Sequence, residues 1–180
     1  MMIPGRKDYV WNSIAGVINA GEAVVMSMVV TRCGKLSDAG VLLLAFAIGN
    51  VLMTVGKFGG RMFQVTDTNG QYSFSVYLAQ RLCAIVLMLL AMVGVLAWGG
   101  YVGEKHAAII CIALIYAVES LEDCFWGYCQ ASNRLYIGAQ MFTTRWLAIL
   151  FVFTFVMAFS HDLAHALSLA AIVSGLVFGL

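Results

Sequence analysis

Proline is nearly missing from this sequence: Pro4 is the only one in 180 residues. Helices formed after it are therefore free of proline kinks. Charge is scarce too. Only 11% of residues are Asp, Glu, Lys or Arg, against roughly 25% in an ordinary soluble domain. Ten basic residues face nine acidic ones, a net charge of +1. That balance offers none of the basic faces or tails that nucleic-acid binding requires, so no nucleic-acid partner is expected. The five cysteines, Cys33, Cys83, Cys111, Cys124 and Cys129, are odd in number, and Cys124 and Cys129 lack the CxxC spacing of a redox pair. They read as small buried thiols rather than a disulfide framework. HExxH, GxSxG and a glycine-rich phosphate loop are all missing, so nothing marks an ATPase or an intramembrane hydrolase. No enzyme activity, cofactor or metal is expected. His161 and His165, with Asp162 beside them, have a spacing that suits a metal, but they read as ordinary interfacial histidines.

What the chain does have is hydrophobic length. Apolar residues make up 62% of it, and the mean hydropathy is +0.93. Six hydrophobic segments are expected, at 11–31, 39–60, 82–103, 107–127, 141–160 and 163–180. At 1.5 Å rise, about 20 helical residues cross roughly 30 Å of hydrocarbon. Unpaired backbone groups are not tolerated there, so helices are the expected form. The long apolar runs lack the short alternating strands of a membrane barrel. The first segment, WNSIAGVINAGEAVVMSMVVT, holds Asn12, Asn19 and Glu22. It has no clean apolar core followed by a small-residue cleavage site, and reads as a membrane helix that stays rather than a signal peptide. The fold class is thus all-α: a polytopic six-helix transmembrane bundle forming one domain over 1–180, joined by longer connections at 61–81 and 128–140.

Basic residues orient this bundle. With the N-terminus inside, Arg6, Lys7, Lys57, Arg61, Arg81, Arg134 and Arg145 lie on the cytoplasmic side, and Arg32, Lys35 and Lys105 lie opposite. This asymmetry favours an N-in, C-in arrangement. Within 61–81, RMFQVTDTNGQYSFSVYLAQR, Asn69-Gly70 is a turn signal. QYSFSVYLAQ is amphipathic enough to lie along the interface or to extend the next helix. Trp11, Tyr77, Trp98, Tyr101, Trp126 and Trp146 fall near segment ends and read as interface aromatics.

Several polar groups sit where lipid is expected. Asn12, Asn19 and Glu22 recur at helical spacing and form a stripe on one face. An intramembrane carboxylate faces protein or a wet cavity, so Glu22 is a candidate for a polar path, for proton or substrate coupling, or for pairing with a buried arginine. Asn50 is a further contributor or an interhelical hydrogen-bonding group. Lys57 and Arg61, four apart, suit interfacial anchoring or phosphate recognition. Glu119, Glu122 and Asp123 share one side of a helix. They are candidates to pair with Arg81, Arg134 or Arg145, as a gate network or as static bundle glue.

Three blocks carry a family resemblance. The first is WNSIAGVINAGEAVVMSMVVTRCGKLSDAGVLLLAFAIGNVL, with its turn at Thr31, Arg32, Gly34, Asp38, Ala39 and Gly40. The second is GKFGGRMFQVTDTNGQYSFSVYLAQR, through Gly59, Arg61, Gln64, Asp67, Tyr72, Tyr77 and Arg81. The third is ESLEDCFWGYCQASNRLYIGAQMFTTR, through Glu119, Asp123, Gly127, Gln130, Arg134, Gly138 and Arg145. In this order and spacing the chain resembles the N-terminal half of polysaccharide exporters of the multidrug/oligosaccharidyl-lipid/polysaccharide (MOP) flippase superfamily, and most of all the Wzx-type lipid-linked oligosaccharide flippases.

That resemblance implies one lobe of a two-lobed transporter in a bacterial inner membrane. The lobe would be either a truncated form or a half that pairs with itself or with a second six-helix lobe. It further implies flipping of a polyisoprenyl diphosphate-linked glycan, with the lipid tail left in the bilayer and the drive taken from an ion or proton gradient. The candidates for anion contact or gate pairs are then Arg61, Arg81, Arg134 and Arg145. Glu22 and Asp123 are candidates for coupling or for neutralising those arginines. A drug or small-molecule exporter lobe of the same fold, and a non-transporting membrane scaffold or inactive fragment, are the alternatives.

Overall fold

The computed structural model describes residues 5–67 and 70–179. Among these the regular structure is all helix, with no strand. Its elements are α1 (Arg6–Cys33), α2 (Leu36–Lys57), α3 (Gly60–Thr66), α4 (Phe74–Gly99), α5 (Glu104–Ala131), α6 (Leu135–Ser160) and α7 (Leu163–Phe178). Six are long, as expected, and α3 is a short continuation of α2 beyond a break. Phe58 (φ 40°) and Gly59 (φ 62°) both adopt left-handed backbone there. Glycine takes that conformation at little cost, whereas Phe58 is strained in it.

Most helices overrun their hydrophobic segments, because backbone hydrogen bonding continues after hydrophobicity ends. α1 starts at Arg6, where the Asp8 carboxylate reaches back to the Gly5 N–H at 2.8 Å. α2 starts with the same device, Asp38 accepting from the Lys35 N–H at 3.2 Å. α7 starts at Leu163, capped by Asp162, whose side chain accepts from the His165 N–H at 3.0 Å. Each satisfies a donor that the first helical turn leaves open.

The expected connections contract for the same reason. Of 61–81, the first six residues belong to α3 and the last eight to α4. QYSFSVYLAQ therefore enters α4 at Phe74 instead of lying wholly along an interface. Asn69, half of the expected turn, lies outside the described residues, while Gly70 has φ 61° and its N–H reaches the Asp67 carbonyl at 3.3 Å. The connection expected at 128–140 shrinks to 132–134.

Short turns set the helices antiparallel. α1, α4 and α6 start at one end of the bundle, where α3, α5 and α7 finish. α5 is the central helix: it packs on α2, α3, α4, α6 and α7. α1 packs mainly on α6 and α2. The core runs through Met26, Leu42, Phe46, Met88, Ile109, Ile112, Ile115, Ile149, Phe153 and Leu167.

The outside is apolar as well. Val17, Val24 and Met28 on α1, and Val86, Leu87, Leu90 and Val93 on α4, are exposed. So are Leu147, Phe151, Phe155 and Phe159, four apart along α6. A soluble monomer rarely presents such continuous apolar faces, whereas hydrocarbon accommodates them. Cys83 belongs to this outer surface and is exposed, unlike Cys111 and Cys124.

Four helical stretches are long and apolar enough to cross a membrane: α1, α2 with α3, α4, and α6. The other two expected spans differ for separate reasons. α7 has 16 residues, about 24 Å of helix. α5 is 28 residues long, but Glu119, Glu122 and Asp123 interrupt its apolar character. Those carboxylates lead to the site.

Candidate functional site

The end of the bundle where α1 begins holds a cleft of about 230 Å³, lined by residues of α1, α2, α3, α5 and α6. Asn12, Gly16 and Asn19 form the α1 wall; Lys57 and Arg61 stand opposite, with Glu119, Glu122 and Asp123 behind them and Trp126 and Phe142 closing the side.

The carboxylates of α5 explain why the cleft can exist. Glu119 is held by three groups. Its Oε1 accepts from Lys57 Nζ at 2.9 Å, and its Oε2 accepts from Trp146 Nε1 at 3.0 Å and from Arg145 at 3.3 Å. Glu122 accepts from Arg145 Nε at 2.9 Å, and Arg145 also donates to Ser174 Oγ on α7 at 3.1 Å. Asp123 accepts from Arg81 at 2.9 Å through Oδ2, and meets Arg61 at 3.5 Å through Oδ1. Arg81 further donates to the carbonyls of Gly56 and Lys57. These carbonyls are left open where α2 breaks. Arg61 donates to Gln130 Oε1 at 3.1 and 2.7 Å, and its guanidinium lies 4.5 Å from the centre of the Trp126 ring.

The result is a layered network. Arg81 and Arg145 are fully buried, each 1% exposed. Lys57 and Arg61 remain open to the cleft, 31% and 27% exposed. Removing one member of a buried pair leaves an uncompensated charge and costs about 3–5 kcal/mol, whereas partly exposed pairs contribute roughly 0–1 kcal/mol. The inner layer is therefore structural in energy, and the outer layer is loosely held.

Most of the expected site residues come together here. Asn12, Asn19, Lys57, Arg61, Glu119 and Asp123 line one cleft, and Arg81 and Arg145 brace it from behind. Arg134 does not join them. It is the exposed N-cap residue of α6, and makes none of the ion pairs found among the described residues. Asn50 is exposed on α2 and does not line the cleft. Glu22 shares the expected face with Asn19, but lies one turn deeper and is buried. Its Oε1 accepts from Tyr116 Oη at 2.9 Å. Its Oε2 has no partner among the described residues. The basic partner considered for Glu22 is thus replaced by a tyrosine hydroxyl.

Three contributors carried little signal in the sequence. Trp146 was expected at an interface because it lies near a segment end. It is fully buried, because α6 extends to Leu135 and places Trp146 a full three turns inside. Tyr116 sits in an apolar run and reads as core. Asp8 lies in the polar N-terminal tail, yet it accepts from the Tyr136 N–H at 2.9 Å. It thereby satisfies the first turn of α6 from another helix. Gln130, quoted in the third block of the resemblance, is the main acceptor of Arg61. Among the described residues no group of His, Cys, Asp and Glu is placed to hold a metal.

Past the end of α3, Asp67 clamps Gln71, Tyr72 and Tyr77. Its carboxylate accepts from the N–H groups of Gln71 (2.9 Å) and Tyr72 (3.0 Å) and from Tyr77 Oη (2.8 Å). These bonds, the Gln71 N–H foremost, hold the Asp67 carboxyl below its ordinary range.

No protein-family model matches the chain, and none of the curated proteins or solved structures matches it.

Proposed function

We propose that this chain is a membrane-embedded helical lobe, inserted N-in and C-in in a bacterial inner membrane, that takes part in moving a lipid-linked oligosaccharide from one leaflet to the other. The observation that carries this reading is the contrast between the cleft and its surroundings. A pocket faced by Lys57, Arg61, Asn12 and Asn19 opens at one end of a bundle whose outer surface is apolar. An ammonium, a guanidinium and two amides suit a phosphorylated sugar head group. The apolar flanks suit a lipid tail that never leaves the bilayer. No covalent bond changes in such a step. Glu22, buried with one oxygen unpartnered, is the candidate group for coupling to an ion or proton. A single lobe supplies one wall of a transport path, and alternating access needs a second. The partner is a further six-helix lobe or another copy of this chain.

The test is reconstitution. Full-length protein in vesicles, supplied with a polyprenyl diphosphate-linked oligosaccharide, is assayed for exposure of the sugar on the far leaflet. Asn12→Ala with Asn19→Ala is expected to slow exposure about tenfold, equivalent to about 1.4 kcal/mol of lost head-group interaction. Unchanged exposure in that double variant sinks the assignment of the cleft. Movement of fluorescent organic cations in place of the lipid-linked sugar would convert the reading to a small-molecule exporter.

A further inference from the structure

The carboxylates at the cleft do something that the pairing alone does not require. Glu119 and Asp123 each use one oxygen toward a buried arginine and the other toward a cleft cation. Asp123 presents Oδ2 to Arg81 and Oδ1 to Arg61. Glu119 presents Oε2 to Arg145 and Trp146, and Oε1 to Lys57. Detaching an outer cation therefore leaves each carboxylate its inner bonds: Asp123 keeps Arg81, and Glu119 keeps Trp146 and the Arg145 that it shares with Glu122. Detaching an inner cation would strand a buried charge. Only Lys57 and Arg61 are exchangeable.

We infer that the cleft is a self-competed anion site, in which Glu119 Oε1 and Asp123 Oδ1 stand where the oxygens of a phosphate or diphosphate ester bind. An incoming anion takes Lys57 and Arg61 from their resident carboxylates, trading one charge-assisted hydrogen bond for another. The inner arginines stay hydrogen-bonded to those carboxylates throughout, Arg81 to Asp123 and Arg145 to Glu119. Arg61 is the easier of the two to capture. Its contact with Asp123 is 3.5 Å, against 2.9 Å for Lys57 with Glu119, and its remaining bonds go to the neutral Gln130. Stacking on Trp126 fixes the plane of the guanidinium while leaving its edge to exchange partners. The cleft, at about 230 Å³, far exceeds the roughly 30 Å³ share of one water. Asn12 and Asn19 line the wall facing the two cations. This site rests on reading the cleft as the head-group pocket and adds how it is kept closed to weak anions: the protein's own acids must be outbid.

The consequence runs against the usual effect of damaging a binding site. Deleting a resident acid should tighten anion binding. Calorimetric titration of the full chain in lipid nanodiscs with inorganic pyrophosphate tests this. Asp123→Asn keeps an acceptor for Arg81 and is expected to tighten binding about tenfold. Gln130→Ala loosens Arg61 without touching a buried charge and should tighten binding by a smaller factor. Lys57→Ala with Arg61→Ala should abolish it, and Arg134→Ala should leave it unchanged. Farnesyl diphosphate supplies the second arm. Equal tightening for both probes means that the phosphates alone are read, and tightening for farnesyl diphosphate only means that the site requires a lipid-borne phosphate. The inference is overturned if neither probe binds, or if folded Asp123→Asn and folded Gln130→Ala bind no tighter than wild type. Tightening in Asp123→Asn without movement of lipid-linked sugar in any variant would sink the translocation reading and leave this one standing. Translocation that depends on Asn12 and Asn19, with no tightening, would do the reverse.

Discussion

The two ends of the bundle solve the same packing problem with opposite chemistry. At the end where α1 finishes, the helices close through short turns and an apolar core: Met26, Val30, Leu42, Ile109, Phe153, Met157 and Leu163 are all buried. The polar bonds there include local caps, His161 Nδ1 against the Cys33 carbonyl, and Cys111 Sγ with Ser168 Oγ at 3.7 Å. At the other end, α2, α4, α5, α6 and α7 are joined by Arg81, Arg145, Glu119, Glu122, Asp123 and Ser174. Well-packed apolar residues would hold helices together at least as well as buried ion pairs do. The charged end is therefore not needed for stability alone, and its outer layer, Lys57 and Arg61, faces a cavity. The difference teaches that the bundle is anchored at one end and chemically addressable at the other.

The sharpest way to break this comparison is Arg145→Ala. It strands Glu119 and Glu122 and should cost about 3–5 kcal/mol, read as a drop in the thermal midpoint of the protein in detergent. Adding Glu122→Gln should recover part of that loss, and a variant no less stable than wild type would refute the inner layer. Next comes Gly49→Ala, near the middle of α2. Its Cβ would sit 2.6 Å from Ile112 Cγ2 and 3.0 Å from the Tyr116 ring, so overpacking of about 1–3 kcal/mol is expected in the same measurement. In the apolar half, Ile112→Val should cost about 0.5–1.5 kcal/mol, with no effect on pyrophosphate affinity. Smaller still is Lys57→Ala, expected to change stability by less than about 1 kcal/mol while weakening anion binding.

The smallest effect belongs to Asp67. Because its folded pKa is depressed, its clamp contributes above the unfolded value near 3.8 and is lost only as pH falls through the folded one. Chymotrypsin cleavage at Tyr72 should therefore be unchanged by moderate acidification, and should rise in Asp67→Asn at neutral pH. Equal cleavage in wild type and variant would remove the clamp from the account.

Helix number and the apolar exterior were legible in the residue order, since 20-residue hydrophobic runs leave the backbone little choice in lipid. The face shared by Asn12, Asn19 and Glu22, and the pairing capacity of Glu119, Glu122 and Asp123, followed from helical spacing. Helix ends were less legible: hydrophobicity reports where a chain meets lipid, and hydrogen bonding carried α4 and α6 past that point. The break at Phe58 was also hidden, because a non-glycine residue at positive φ is held by its surroundings, here Arg81 on the α2 carbonyls.

Spacing along one helix determines which residues share a side, and that much the sequence decided by itself. It cannot assign a basic residue to a carboxylate on another helix. Tertiary packing alone sent Arg81 to Asp123 and Arg145 to Glu119 and Glu122, left Arg134 outside, gave Glu22 a tyrosine, and turned Trp146 inward. The reason is physical: several cations could neutralise each acid equally well, and only the approach of particular helices decides which of them is desolvated and which stays open to the cleft.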